Sequence, residues 1–439
     1  MSPLSFTLLV RLPDGHRPQD PGWIDWRDAE RLVPQAVYGD PHDAPPYKRY
    51  PGTRDYFAPQ VEGTLFPPPG SPSAGSGRWI RRPVSWWVAV GPGSQPTYEL
   101  AVDLLEIVRV ELRPHIVYGV AHLNLVGPAH ADDMLDCSSA LMTRYRATDA
   151  DAPSFELREA GSATQRLAGN SPLASLTKAL FGGAHSNVGE QAYAFVAAPI
   201  PDGVPQGDVA AWRRALAQGG GLAKAKATLK REPDHDDHRM VRFGSTLATF
   251  FGRTAVHTYD EDSSTALRNI RSYWAETVLF ALIQHAYIET YAIELARLGG
   301  DPLRPEIDDL FVRWLAFRNV LWWQHPSFTT PVPRQILRRA QNELETELLY
   351  EDLATGFATY VEARRHRAED AESRALRSLQ TYGAAFAVVS TSAAVMQVLG
   401  EDYVDTAEEQ IGYVVTLLLV GLFVIVRVPH WIRRREKGA

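Results

Sequence analysis

The densest group of metal-ligand residue types in this chain is Asp234, His235, Asp236, Asp237 and His238. Carboxylates suit Mg²⁺ or Ca²⁺ and imidazoles suit Zn²⁺, so Asp234, Asp236 and Asp237 are the candidate metal ligands. The stretch lacks the order of an EF-hand, and a solvated loop is its plainer reading. A second acidic set is Glu401, Asp402, Asp405, Glu408 and Glu409, in a ten-residue stretch without a cation. Asp260, Glu261 and Asp262 precede a helical pattern, where the electrostatics of a helix N-terminus account for them. His285 and Glu289 stand one helical turn apart, and such a lone pair reads as a buried hydrogen bond before a metal site.

Enzyme signatures are missing. Residues 219–226 are glycine-rich and basic but lack the GxxxxGK[ST] order that cradles a phosphate. No GxSxG, HExxH or dinucleotide fingerprint stands in a strand–turn–helix context. The chain therefore reads as no enzyme and as needing no organic cofactor.

What must position these groups is the C-terminal end. Residues 381–400 (TYGAAFAVVSTSAAVMQVLG) carry no charge, and residues 411–426 (IGYVVTLLLVGLFVIV) are almost wholly apolar. About 20 apolar helical residues cross a ~30 Å hydrocarbon core, so the two runs read as a two-helix transmembrane hairpin. The second suits a lipid-facing helix, with Tyr413, Arg427 and Trp431 as interfacial anchors. The first, with its Ala, Ser, Thr and Gly, suits close packing or a pore. The alternative is a single tail anchor at 411–426, with the first run buried in a soluble body. Arginines flank both runs on the outside of the pair (Arg364, Arg365, Arg367, Arg374, Arg377; Arg433, Arg434, Arg435), whereas the connector is acidic. The positive-inside rule then places the N-terminal bulk and the C-terminal tail in the cytoplasm.

Of the 439 residues, 45% are hydrophobic, and with a mean hydropathy of −0.22 most of the chain reads as a water-soluble globule. A net charge of −7 argues against a nucleic-acid binder, which is expected to show a basic face. A lone cysteine, Cys137, excludes an internal disulfide and any CxxC site. The start, MSPLSFTLLVRLPDG, has no signal-peptide pattern and reads as a first strand.

Residues 1–260 read as a mixed α/β domain. Strands are expected at 6–12, 84–90, 105–112, 115–125, 192–198 and 242–257, the last broken in two, and helices at 131–145, 173–181 and 208–218. A Pro/Gly-rich surface loop is expected at 66–77 and a flexible stretch at 219–238. Trp86, Trp87, Trp322 and Trp323 read as core or interface aromatics. Residues 261–332 form a helical subdomain, with a helix capped at Ser263 or Ser264 and running to Leu298, and a second from Pro305 to Trp323. Residues 333–380 form a stalk helix, and 381–439 the hairpin with its basic tail. From Arg334 to Leu399 one continuous helix of about 100 Å is expected at 1.5 Å per residue. Its apolar stripe must pack on neighbouring helices or on copies of itself. The fold class is α+β: a mixed N-terminal domain, a helical middle, a very long stalk and a membrane hairpin.

This layout, covering residues 263–439, resembles the CorA-type divalent-cation channel family. The resemblance implies a homo-oligomer, pentameric in that family, whose stalk continues into a pore-lining helix while the second helix faces lipid. Carried over, it makes Thr381, Phe386, Ser390, Thr391, Met396 and Gln397 the pore-lining candidates, with Ser392 beside them. Phe386 and Met396 would be constrictions that gate by dewetting. Three consecutive hydroxyls cannot all face one axis, and their other use is a hydrogen bond back to the preceding turn. Glu401, Asp402, Asp405, Glu408 and Glu409 become an outer mouth that concentrates cations, or simply a solvated loop. The family's Gly-Met-Asn filter is absent, since the matching end reads MQVLGED (396–402). The expectation is an oligomeric membrane channel or transporter for cations, Mg²⁺ or another divalent ion, gated by its cytoplasmic domain. The alternative is a membrane-anchored sensor or effector, as in bacterial defence, whose N-domain binds a signal and opens the membrane.

Overall fold

Strand β1 (Ser5–Leu12, SFTLLVRL) shows how the core is divided, because its residues alternate between two different chemistries. Leu4, Phe6, Leu8, Val10 and Leu12 point into an apolar layer, whereas Ser5, Thr7 and Arg11, together with the buried Leu9, alternate with them. The computed structural model describes residues 4–26, 57–66, 76–142, 154–182, 192–259, 267–298, 304–327, 331–403 and 415–416, apart from 19, 21, 82–85, 92–96, 161–163, 168–171, 203, 220, 232–238, 245 and 268. It is a mixed α+β structure in two compact units, residues 1–354 and 355–439.

The sheet is built from β1, β2 (Ile24–Asp25), β3 (Gly77–Arg81), β4 (Trp86–Gly91), β5 (Tyr98–Val110), β6 (Ile116–Leu125), β7 (Ser154–Glu159) and β8 (Gln165–Leu167). It is completed by β9 (Tyr193–Pro199), β10 (Met240–Phe243), β11 (Thr246–Phe251) and β12 (Thr254–Tyr259). The strand order is β10-β11-β12-β9-β1-β6-β5-β4-β7-β8, with β3 joined to β5 and β2 to β3. Only the β12–β9 pair is parallel among these pairings. A register shift between Val102 and Leu104 breaks the β5–β6 ladder and sets Asp103 apart.

Helix α1 (Pro59–Leu65) precedes β3, and one face of the sheet carries α2 (Ala131–Met142), α3 (Pro172–Phe181), α4 (Val209–Gln218) and α5 (Leu222–Arg231) over the apolar side of β1, β5, β6 and β9. The other face receives α6 (Ala275–Leu298), which follows a π-helical turn at Ile270–Trp274. Tyr118 of β6 donates to the Leu282 carbonyl (3.0 Å), and Tyr287 to the carbonyl of Val110 on β5 (3.1 Å). Next come α7 (Pro305–Val320) and α8 (Pro331–Glu343). A buried pair of amides fastens these helices together. Gln284 donates to the Leu321 carbonyl (2.7 Å), and Gln341 donates to the Gln284 side-chain oxygen (2.7 Å). The α/β region and the helices of 261–332 thus share one unit.

Three expectations change. The stretch 242–257 holds three strands, because Gly244 (φ 52°) and Gly252 (φ 53°) supply left-handed turns on either side of β11. Within the expected flexible stretch 219–238, Leu222–Arg231 form helix α5, with Ala225 buried and Leu222 and Leu229 against the core, while 232–238 lie outside the described residues. The single helix from 334 to 399 is broken. Glu345 takes a left-handed φ of 55°, ending α8 before α9 (Thr346–Tyr403, 58 residues) begins. Tertiary contacts hold the break. The Glu343 carboxylate accepts from the Gly252 N–H (2.8 Å) and pairs with Arg239 (3.0 Å), and Thr346 bonds to His285 (3.2 Å).

Helix α9 covers the run 381–400, as expected from its composition. Among the described residues, no helix is long and apolar enough to cross a membrane. The run 411–426, apart from Val415 and Thr416, lies outside the described residues. So do the expected cap at Ser263 or Ser264 and the loop 67–75.

Candidate functional site

The pore-lining candidates all fall on α9, and the helix separates them. At about 100° per residue, Phe386, Ser390 and Gln397 share one face. Thr381 lies opposite that face, and Thr391 and Met396 lie about 100° or more away, so the six do not form one lining. Phe386 is 75% exposed. The Thr381 hydroxyl donates to the Arg377 carbonyl (2.7 Å) and Ser390 to the Phe386 carbonyl (2.8 Å), so both bond back to the preceding turn. The face of Phe386, Ser390 and Gln397 continues back through Gly383 and the exposed Leu379 and Leu376. These positions follow a three-four spacing with a seven-residue repeat, the pattern of helices that pack side by side.

The side chains of Met396, Gln397, Glu401 and Asp402 lie outside the described residues, as do Asp405, Glu408 and Glu409 altogether. So do Asp234, Asp236 and Asp237, and Asp260, Glu261 and Asp262. Among the described residues there is no group of three His, Cys, Asp or Glu that could hold a metal. His285 and Glu289 do not form the expected bond to each other. His285 meets Thr346, and Glu289 meets Arg11 at 3.7 Å. Of the tryptophans, Trp86 packs against the core beneath the Arg81 guanidinium, and Trp322 stacks on Tyr350 at 4.1 Å.

What the fold does assemble is a buried ion cluster between the sheet and the start of α6. Arg78 of β3 donates Nε to Glu106 of β5 (2.7 Å) and Nη1 to Glu276 of α6 (3.0 Å), and its Nη2 reaches Glu276 as well. Glu106 also meets His122 Nε2 of β6 (3.1 Å), and His122 Nδ1 meets the Thr7 hydroxyl of β1 (3.2 Å). Beside this row, Arg271 of the π-helical turn donates to Asp103 (3.2 Å), which also accepts from Asn124. Ser5 donates to Asn124 (2.6 Å). The Phe66 ring lies 4.6 Å from the Arg78 guanidinium carbon and covers it. Arg78, Glu106 and His122 are all buried.

Burial alone would raise the Glu106 carboxyl, but Arg78 and His122 overcome it and hold the group down at about 2. Burial pushes Glu276 up from the usual carboxylate range, against the pull of Arg78. Burial pushes His122 down, which keeps its imidazole neutral. The cluster sets Arg78 and Arg271 against Glu106, Glu276 and Asp103, two guanidiniums against three carboxyls. It binds the helical half of the unit to four strands. Paired charges of this kind cost several kcal/mol when one partner is removed.

Nearby, His257 of β12 is buried with no hydrogen-bond partner at either ring nitrogen. It stacks on Phe195 (4.1 Å between centroids) under Trp274 (5.4 Å). Compared with protein-family models, curated proteins and solved structures, the chain matches none.

These clusters escape sequence reasoning because Arg78 and Glu276 are 198 positions apart. The available signal was a glutamate inside the apolar strand VDLLEIVRV (102–110), together with the polar alternation of Ser5 and Thr7 in β1 and of His122 and Asn124 in β6.

Proposed function

We propose that the chain is an oligomeric membrane channel or transporter for cations, of CorA-like layout, gated by a cytoplasmic sheet-bearing unit. The observation that carries this reading is one helix. Helix α9 runs without interruption for 58 residues, from the sheet-bearing unit through an arginine-rich stretch into the uncharged run 381–400. Leu376, Leu379, Gly383, Phe386, Ser390 and Gln397 fall on one face within about 80°. Parallel copies of such a stripe would close around an axis, with small and polar residues toward its far end. The acidic residues 401–409 would then ring the outer mouth and raise the local cation concentration. The run 411–426 would form the lipid-facing helix, and the terminal arginines would hold the tail in the cytoplasm.

The chain reads MQVLGED at 396–402, where the family has Gly-Met-Asn. That departure favours a second reading, a membrane-anchored sensor or effector whose soluble unit opens a less selective pore.

Flux through proteoliposomes containing the full chain tests both readings. Entry of Mg²⁺, reported by a trapped indicator dye, should fall at least tenfold in Ser390→Trp, which fills the shared face. Flux of K⁺ without Mg²⁺ selectivity supports the second reading. No flux of either ion, from a protein that is monomeric in detergent, overturns both.

A further inference from the structure

Helix α8 lies along the edge strand β10. Ile336, Leu337, Ala340 and Gln341 are its buried face. Beside them, Gln335, Arg338, Arg339 and Asn342 form a second stripe at i, i+3, i+4 and i+7. With Met240 and Val241 of β10, this stripe lines a cleft of about 330 Å³. That volume lies within the range of small-ligand sites.

The charge of the cleft is uncompensated. Among the described residues, neither Arg338 nor Arg339 has a carboxylate partner. The nearest acid on their own helix, Glu343, is already engaged. One of its oxygens faces Arg239 at 3.0 Å, and the other accepts from the Gly252 N–H at 2.8 Å. Two adjacent guanidiniums offer forked N–H donors suited to the oxygens of a phosphate. Gln335 and Asn342 add amides that both donate and accept. Met240 and Val241 give an apolar wall for a flat or aliphatic group.

We propose that this cleft binds a phosphate-bearing small ligand of about mononucleotide size, its phosphate held by Arg338 and Arg339. The site lies wholly within the sheet-bearing unit, so the inference does not depend on the membrane reading.

The test is calorimetric titration of the full chain in detergent micelles with inorganic pyrophosphate as probe. Expected are saturable binding that weakens as NaCl is raised and a loss of at least tenfold in Arg338→Gln/Arg339→Gln. The exposed pair Arg297→Gln/Arg304→Gln removes the same charge elsewhere and should leave affinity unchanged. A water-soluble, short-chain phosphatidic acid serves as the lipid arm and should not displace pyrophosphate. The proposal is overturned if pyrophosphate does not bind, if both double variants weaken it equally, or if only phosphatidic acid binds. Circular dichroism and the urea midpoint separate a lost site from a lost fold, and Arg338→Lys/Arg339→Lys should recover part of the affinity if charge at this place is what matters.

Discussion

His257 shows what burial does to a single titratable group in this molecule. Its ring has aromatic neighbours, Phe195, Trp274 and Phe250, and neither nitrogen is hydrogen-bonded. Burial pushes its pKa from 6.5 down to about 3. The folded state therefore binds fewer protons than the unfolded state between those values. The full stability contributed by the neutral ring is present above pH 6.5 and is lost progressively as pH falls toward 3. At 1.36 kcal/mol per pH unit, the loss between pH 8 and pH 5 is about 2 kcal/mol. His122 adds to the same slope, because burial lowers it too. Glu276 acts in the opposite sense, its raised carboxyl favouring the folded state as pH falls. Glu106 enters only below about 4.5, where stability falls as pH drops toward 2. His257→Phe keeps the aromatic stack and removes the proton. Its urea midpoint should drop less between pH 8 and pH 5 than that of the unaltered chain, by the equivalent of about 2 kcal/mol. Equal drops would mean that the ring is solvated and titrates normally.

At the scale of elements, the break between α8 and α9 makes the sharpest prediction. Glu345 holds a φ of 55°, a region where an L side chain crowds its own backbone. Glycine has no such crowding, and helices commonly end on glycine in this conformation. Glu345→Gly should raise stability by up to about 1 kcal/mol, whereas Glu345→Val should lower it by more, both read as shifts in the urea midpoint. If the valine variant is neutral, the two helices have merged into one. The sequence could not announce this break, because QNELETELL (341–349) is an unbroken helix-former pattern with no Gly or Pro. The stop comes from distant groups that hold Glu343 and Thr346, namely Arg239, Gly252 and His285. Strands β1, β6 and β9 were legible because their β-branched and aromatic residues lie in short runs bounded by turn residues. Helix α5 left a signal at Leu222, Ala225 and Leu229, but the glycines before it obscured the pattern. The ion cluster left only Glu106 inside an apolar strand and the polar alternation of β1 and β6 as signals, since four strands and a helix must meet before Arg78 acquires its partners.

For the whole molecule, the question is what covers the apolar stripe of the second unit. Leu379 is 68% exposed and Phe386 75% in the single chain, so large apolar groups stand uncovered along one face. The seven-residue spacing argues for another copy of the same helix, because a lipid-facing surface needs no such repeat and a partner helix does. Glu369 and Glu372 occupy the preceding positions of the same repeat, so the seam starts near Leu376 and continues into the uncharged run. Each buried leucine or phenylalanine contributes about 1.5–3 kcal/mol when water is excluded. In the proposed oligomer, a ring of such contacts would therefore be sensitive to one charge per chain. Leu379→Asp should convert the detergent-solubilised oligomer to monomer, read by light scattering as molar mass. Val312→Asp alters an exposed apolar residue on α7 rather than on this helix (63% exposed), and it should leave the mass unchanged. A monomeric starting protein, or an oligomer indifferent to Leu379→Asp, would remove the packing on which a shared pore depends.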